Sequence, residues 1–187
     1  MSMARACRAP SSYGSMRASR LLLPLLAWLV IGAGPDEPAP ALAPSAGSAF
    51  ERLDRGRVTR ATVPAGTRML AVYYGASWCG PCRAFVPELI AAYPRLRARG
   101  IEMLFVGDDA SCAATLDYAR TSRMPWLLLP CDRARHAVLR RLGGKALPGI
   151  VVLDRTGSPV ANSWQADGNS MPRATLRRLL GSAPADR

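Results

Sequence analysis

The 187-residue sequence predicts an α/β domain, and three observations carry that prediction. Short apolar, β-prone runs alternate with helical patterns from Met69 to Leu142, the order expected of a sheet with helices packed on its faces. A hairpin signal and a final helix follow. At the first strand-to-helix junction stand two cysteines separated by two residues, Cys79-Gly80-Pro81-Cys82. The length suits one domain of ~100–150 residues with appendages.

The amino-terminal residues are read as an appendage. Residues 1–34 carry Arg5, Arg8, Arg17 and Arg20 and no acid, and an apolar run follows from Leu21 to Ala33. A basic start followed by a short apolar core has the layout of a secretory signal. The run is short for a transmembrane helix, which needs ~20 residues, and Pro24 interrupts it. Residues 1–33 are therefore expected to be a signal peptide or, if uncleaved, an amino-terminal anchor. Small residues at Ala39-Pro40-Ala41 and Gly47-Ser48-Ala49 both offer cleavage sites. Residues 34–49, with Pro35, Pro38, Pro40 and Pro44 among Ala, Ser and Gly, are expected to be a disordered linker. The domain is then 50–187.

Within the domain, Met69 to Tyr74 reads as a buried strand. Arg83 to Arg99 reads as a helix, kinked by Pro87 and Pro94 and stopped by Gly100. Ile101 to Gly107 is a second buried strand, Ser111 to Thr121 a helix, and Leu127 to Leu129 a short apolar piece. Asp132 would cap a helix from Arg133 to Leu142. Gly149 to Leu153 and Val160 to Trp164 would pair through the turn-rich Asp154 to Ser158. Ser170 would cap the last helix, Pro172 to Leu180, which Gly181 ends.

The cysteine spacing suits dithiol–disulfide exchange, because two thiols so placed can close a small ring without moving the backbone. Cys79 falls at a helix N-terminus, where unpaired N–H groups and the positive end of the dipole favour a thiolate. Cys79 is therefore the expected attacking sulfur and Cys82 the resolving one. A structural zinc site would need about four ligands, yet no second pair exists and the sole histidine is His136, so no metal is expected. A purely structural bridge of this span removes little unfolded-state entropy.

Three blocks carry a family resemblance. Ala76 to Ile90 holds Trp78-Cys79-Gly80-Pro81-Cys82, Arg123 to Pro130 holds Met124-Pro125-Trp126, and Lys145-Ala146-Leu147-Pro148 follows. Over about Phe50 to Ser163 the chain resembles the thioredoxin superfamily, in its tryparedoxin and nucleoredoxin-like branch, as an exported bacterial member. The resemblance implies a thioredoxin-like fold, with a central mixed sheet flanked by helices. It also implies that Pro148 is the cis-proline facing the dithiol, with the Leu147 backbone turned to an incoming substrate strand; the alternative is an ordinary trans-proline. Trp78 and Trp126 would form an apolar rim or serve as half-buried packing residues, and Gly80 and Pro81 would line the substrate side of the ring. Gly149, where threonine is common, would open the groove. Two departures stand out: Gly80-Pro81 replaces the branch's Pro-Pro, and Tyr73 stands where thioredoxins keep a buried Asp, leaving the proton acceptor for Cys82 unassigned.

The implied activity is a thiol–disulfide oxidoreductase that reduces protein disulfides in the bacterial periplasm, without a cofactor, as a monomer fed by a membrane thiol carrier. Alternatives are a dedicated reductase of apocytochrome cysteines, or a non-catalytic module that binds partners in the same groove.

Charge adds an exclusion. The net charge of +12 comes from 24 Arg and the single Lys145 against 13 acids. These arginines are spread over the chain, not gathered into a stripe with interleaved aromatics, so no nucleic-acid partner is expected and a solvated basic surface is. A preference for acidic partners or anionic membrane surfaces is the lesser reading. Direct membrane contact is expected only through residues 1–33. Arg83 would add positive potential beside the dithiol, His136 would be a surface residue, and Asp108-Asp109 would serve a turn and helix start. Cys112 and Cys131 would be small buried apolar residues before they would be a second disulfide.

Overall fold

The computed structural model describes residues 50–131 and 137–181. The signal segment, the linker, the Asp132 cap and the placement of His136 lie outside the described residues. The chain runs β1 (Phe50–Asp54), β2 (Arg57–Ala61), β3 (Met69–Gly75), α1 (Gly80–Ala98), β4 (Ile101–Gly107), α2 (Cys112–Thr121) and β5 (Leu127–Leu128). It continues through α3 (Ala137–Arg141), β6 (Gly149–Leu153), β7 (Pro159–Asn162) and α4 (Pro172–Gly181).

The strands form one seven-stranded mixed sheet in the order β2-β1-β5-β4-β3-β6-β7. β3 and β4 lie parallel at its centre, in register from Met69 opposite Ile101 to Gly75 opposite Gly107. β5 continues the parallel set, and β6 and β1 pair antiparallel to β3 and β5. Strands buried on both faces read as continuous apolar runs without alternation, which is why β3 and β4 are legible in the sequence. One face packs Ala71, Tyr73, Met103 and Phe105 against Phe85, Leu89 and Leu96 of α1, Tyr118 of α2 and Leu176 of α4. The other packs Leu70, Val72, Leu104 and Val106 against Leu139 of α3.

Several elements differ from the sequence expectation. The hairpin β1-β2 falls in a stretch to which the sequence pattern assigned no element. Its turn places Arg55 at φ 48° and Gly56 at φ 81°, and consecutive positive φ values are what a two-residue hairpin turn requires. Helix α1 starts at Gly80, not Arg83, because Cys79 is its N-cap and the missing N–H of Pro81 is no loss in the first turn. β7 stops at Asn162, and Trp164 instead makes an isolated bridge to Ser170. Ser170 therefore does not cap α4; its hydroxyl pairs with that of Ser163 at 2.8 Å.

Glu102 is the charged residue inside a buried strand, and its side chain is fully enclosed. It accepts from Tyr93 Oη at 2.6 Å, Arg97 Nη1 at 2.7 Å, Arg52 Nη2 at 3.3 Å and the N–H of Met103 at 2.9 Å. Such multiple pairing is what a buried carboxylate requires.

Helices α1 and α4 are tied by Glu88, which accepts from Arg173 Nη2 at 2.6 Å and Nε at 2.9 Å. The hydrogen bonds from Arg173 hold the Glu88 carboxyl below the usual carboxylate range. Both side chains are nearly half exposed, so solvent screening limits the pair to about 0.2–1 kcal/mol. With a depressed folded-state pKa, this stabilisation is present above the unfolded carboxyl pKa and lost as pH falls through the folded one. Urea denaturation of Glu88→Gln should show a loss within that range at pH 7, shrinking as pH is lowered below the unfolded carboxyl pKa.

Candidate active site

The parallel register of β3 and β4 ends both strands at one edge, where the N–H of Asp108 donates to Gly75 O at 2.9 Å. This juxtaposition sets the segment that leads into the dithiol. One Asp109 carboxylate oxygen accepts from the N–H of Ser77 at 2.9 Å and its hydroxyl at 2.7 Å, and the other accepts from Thr115 Oγ1 at 3.2 Å. Trp78 Nε1 donates to Asp108 O at 3.2 Å, and Arg83 Nη1 donates to Ser77 O at 2.6 Å. Ser77 and Trp78 are thus held from two sides before the chain reaches Cys79.

Cys79 takes an extended backbone conformation, φ −81° and ψ 103°, as the N-cap of α1. Its Sγ accepts the N–H of Cys82 at 3.1 Å, one of the donors that a helix start leaves without an intrahelical partner. The two cysteines are joined as a disulfide, with Cα atoms 5.2 Å apart. Cys82 is completely enclosed, while Cys79 keeps 5 % of its surface. Ala76 and Leu147 pack on the pair. In the reduced protein the Cys82 N–H and the positive end of α1 would face a Cys79 thiolate, which favours its ionisation.

The Leu147–Pro148 peptide is cis. The loop that carries it is anchored by Trp164, whose Nε1 donates to Ala146 O at 2.8 Å. A Cβ built on Gly149 would overlap the Trp164 ring, so the space at Gly149 is filled by indole. The expected opening of the groove there does not occur.

Trp78 and Trp126 part company. Trp78 is 64 % exposed beside the dithiol, and Gly80 and Pro81 are exposed with it. Trp126 is fully buried and stacks edge-on against Tyr93 at 5.6 Å, so it is a core residue and not part of a rim. Tyr93 lies 11 positions along α1 from Cys82, ~16 Å at helical rise, which is why the aromatic it meets cannot reach the sulfurs.

Tyr73 is fully buried, with its hydroxyl 3.4 Å from Cys82 O. Burial pushes its pKa well above the ordinary tyrosine value, so it stays protonated and is not the base that a buried Asp would supply. Asp109, read from sequence as a turn residue, is 5 % exposed and organises the entry to the site; its contact with Ser77 spans 32 residues and has no local signature. Trp164 likewise carries in the sequence only the signal of a strand end. Cys112 is exposed and Cys131 half-buried, and the two are joined, with Cα atoms 5.7 Å apart, so neither is a buried apolar filler.

A family model described as Thioredoxin-like matches residues 66–158. Nucleoredoxin from Mus musculus is 34% identical over 102 residues, 52% of this chain and 23% of that protein. A probable nucleoredoxin 1 from Arabidopsis thaliana is 35% identical over 98 residues, covering 50% of this chain and 16% of that one. The chain thus spans about a quarter or less of the length of these curated relatives. Native tryparedoxin I from Crithidia fasciculata superposes with a TM-score of 0.54 at 26% identity, over 73% of this chain and 90% of that one. A thioredoxin from Wuchereria bancrofti, at 24% identity, shares the fold with a TM-score of 0.57 over 76% of this chain and 98% of its own.

Two outcomes follow from the geometry. Substoichiometric iodoacetamide on reduced protein at neutral pH should label Cys79 well ahead of the enclosed Cys82 in peptide maps. Asp109→Ala leaves the Ser77 N–H without its carboxylate and should cost about 1–3 kcal/mol in urea denaturation, with labelling of Cys79 slowed.

Proposed function

The chain belongs to the thioredoxin superfamily as a tryparedoxin and nucleoredoxin-like member, and from that premise we propose that it is a thiol–disulfide oxidoreductase that reduces protein disulfides outside the cytoplasm. The observation that carries the proposal is the hydrogen bond from the Cys82 N–H to Cys79 Sγ at the start of α1, beside the cis Leu147–Pro148 bond.

In the proposed cycle the Cys79 thiolate attacks one sulfur of a substrate disulfide. The substrate bond breaks, a mixed disulfide forms on Cys79, and the first substrate thiolate leaves and takes up a proton. Cys82 then loses its proton and attacks Cys79 Sγ, which frees the second substrate thiol and closes the Cys79–Cys82 disulfide. Two electrons pass to the substrate, and a dithiol donor restores the pair. Leu147 and Pro148 would present backbone to the substrate strand, and the exposed Trp78 would give it apolar contact. The basic and apolar layout of residues 1–33 supports export, with a membrane thiol carrier as the donor and the chain acting as a monomer.

The reducing direction rests on the Gly80-Pro81 dipeptide, which resembles thioredoxin, poised near −270 mV, more than strong oxidants near −120 mV. Wild-type protein should accelerate insulin reduction by dithiothreitol, and Cys79→Ser should abolish the acceleration; equal rates would favour a binding module instead. Cys82→Ser should retain partners as mixed disulfides on Cys79, identifying the substrates. A redox titration placing the Cys79/Cys82 couple above about −150 mV would replace the reductase reading with an oxidase one.

A further inference from the structure

A second cysteine pair lies on the same edge of the sheet as the dithiol. Cys112 is the first residue of α2, directly after the loop that follows β4, and its neighbour Ser111 caps the helix by accepting the N–H of Ala114 at 3.1 Å. Cys131 comes three residues after β5 ends, and β5 runs parallel to β4, with the N–H of Leu129 donating to Phe105 O at 2.9 Å. The two cysteines therefore reach the C-terminal edge of the sheet from neighbouring strands, where Gly75 and Gly107 also end. They are joined there across 19 residues of sequence. Cys112 is exposed to solvent, unlike either member of the dithiol.

What the second pair clamps is specific. The loop 108–111 lies between β4 and Cys112, and it supplies two of the contacts that hold the approach to Cys79, Asp108 O to the Trp78 indole and the Asp109 carboxylate to Ser77, while Arg83 of α1 supplies another. One end of this loop is fixed by the β3-β4 ladder and the other by the bond from Cys112 to Cys131. With that bond open, the first turn of α2 would be held to the loop by the Ser111 cap and the hydrogen bond from Thr115 Oγ1 to Asp109.

We propose that Cys112–Cys131 is a second, reducible redox site that regulates the reactivity of Cys79 through the Asp108–Asp109 loop. This rests on Cys79 being the attacking thiol. The reductant is an external dithiol. Its thiolate attacks Sγ of the exposed residue Cys112, the Cys112–Cys131 bond breaks, and Cys131 leaves as a thiolate that takes up a proton. The reductant's second thiol then displaces Cys112 as a thiol and leaves as a disulfide, so two electrons and two protons enter the pair. The clamped form keeps Asp109 on Ser77 and Cys79 reactive; the open form loosens that hold and slows Cys79.

The test uses full-length Cys82→Ser/Cys7→Ser, in which Cys79 is a single thiol and the second pair is the remaining disulfide of the domain. Iodoacetamide labelling of Cys79 at pH 7 is followed by peptide mapping before and after dithiothreitol treatment without denaturant. Reduction should proceed under these native conditions and should slow Cys79 labelling by about threefold or more, the size expected of coupling between neighbouring sites. When Cys112→Ser and Cys131→Ser are added to that variant, the slow rate should be present from the start and unaffected by dithiothreitol. A pair that opens only in denaturant, a smaller change in rate, or a dithiothreitol effect that persists without Cys112 and Cys131 overturns the proposal. Failure of the underlying reading is distinguishable: insulin reduction by wild-type protein would then be absent, whatever the state of the second pair.

Discussion

The arrangement of this domain depends on the parallel pairing of β3 with β4. Seven residues of each strand run side by side in register, so both chains leave the sheet at the same level. That level ending brings Ser77 and Asp109, far apart in sequence, within hydrogen-bonding distance. A buried carboxylate is stable only when its lone pairs are occupied, and here the donors include a backbone N–H and a hydroxyl of the segment that enters α1. The requirement of the carboxylate and the positioning of the dithiol are met by the same bonds.

From that junction the chemistry follows from the helix start. An N-cap side chain ordinarily supplies oxygen to the first unpaired N–H groups. Here the cap is a sulfur, so the amide that needs an acceptor and the sulfur that benefits from a donor satisfy each other. Burial does the rest by enclosing Cys82 and leaving Cys79 the slight access a nucleophile needs. Tyr73 fills the volume beneath, stacked on Phe105 with ring centroids 5.5 Å apart, and adds no base because desolvation holds it neutral.

The opposite side of the site is built from the sheet's other end. Trp164 leaves the β6-β7 hairpin, lies over Gly149 and fixes Ala146 by a hydrogen bond, so the cis-proline loop is positioned by an aromatic ring packed where a side chain on residue 149 would otherwise sit. The loop that packs on the disulfide through Leu147 is thereby coupled to the hairpin as well.

The sequence by itself determined the sheet's core and the identity of the reactive pair. Continuous apolar runs at Met69 to Tyr74 and Ile101 to Gly107 mark strands buried on both faces, and the Cys79–Cys82 spacing at a strand-to-helix junction marks the chemistry, because both signals are local. Only tertiary structure decided which distant residues meet. Trp126, expected as a rim or half-buried packing residue, turns its indole into the core under α1, since the side of a sheet a residue faces depends on strand order and register. Asp109 and Trp164 became site residues, and Cys112 met Cys131, through strand pairing that no local pattern encodes. Composition and periodicity report the environment of each residue, whereas partnership across tens of residues is set by the pairing of whole strands.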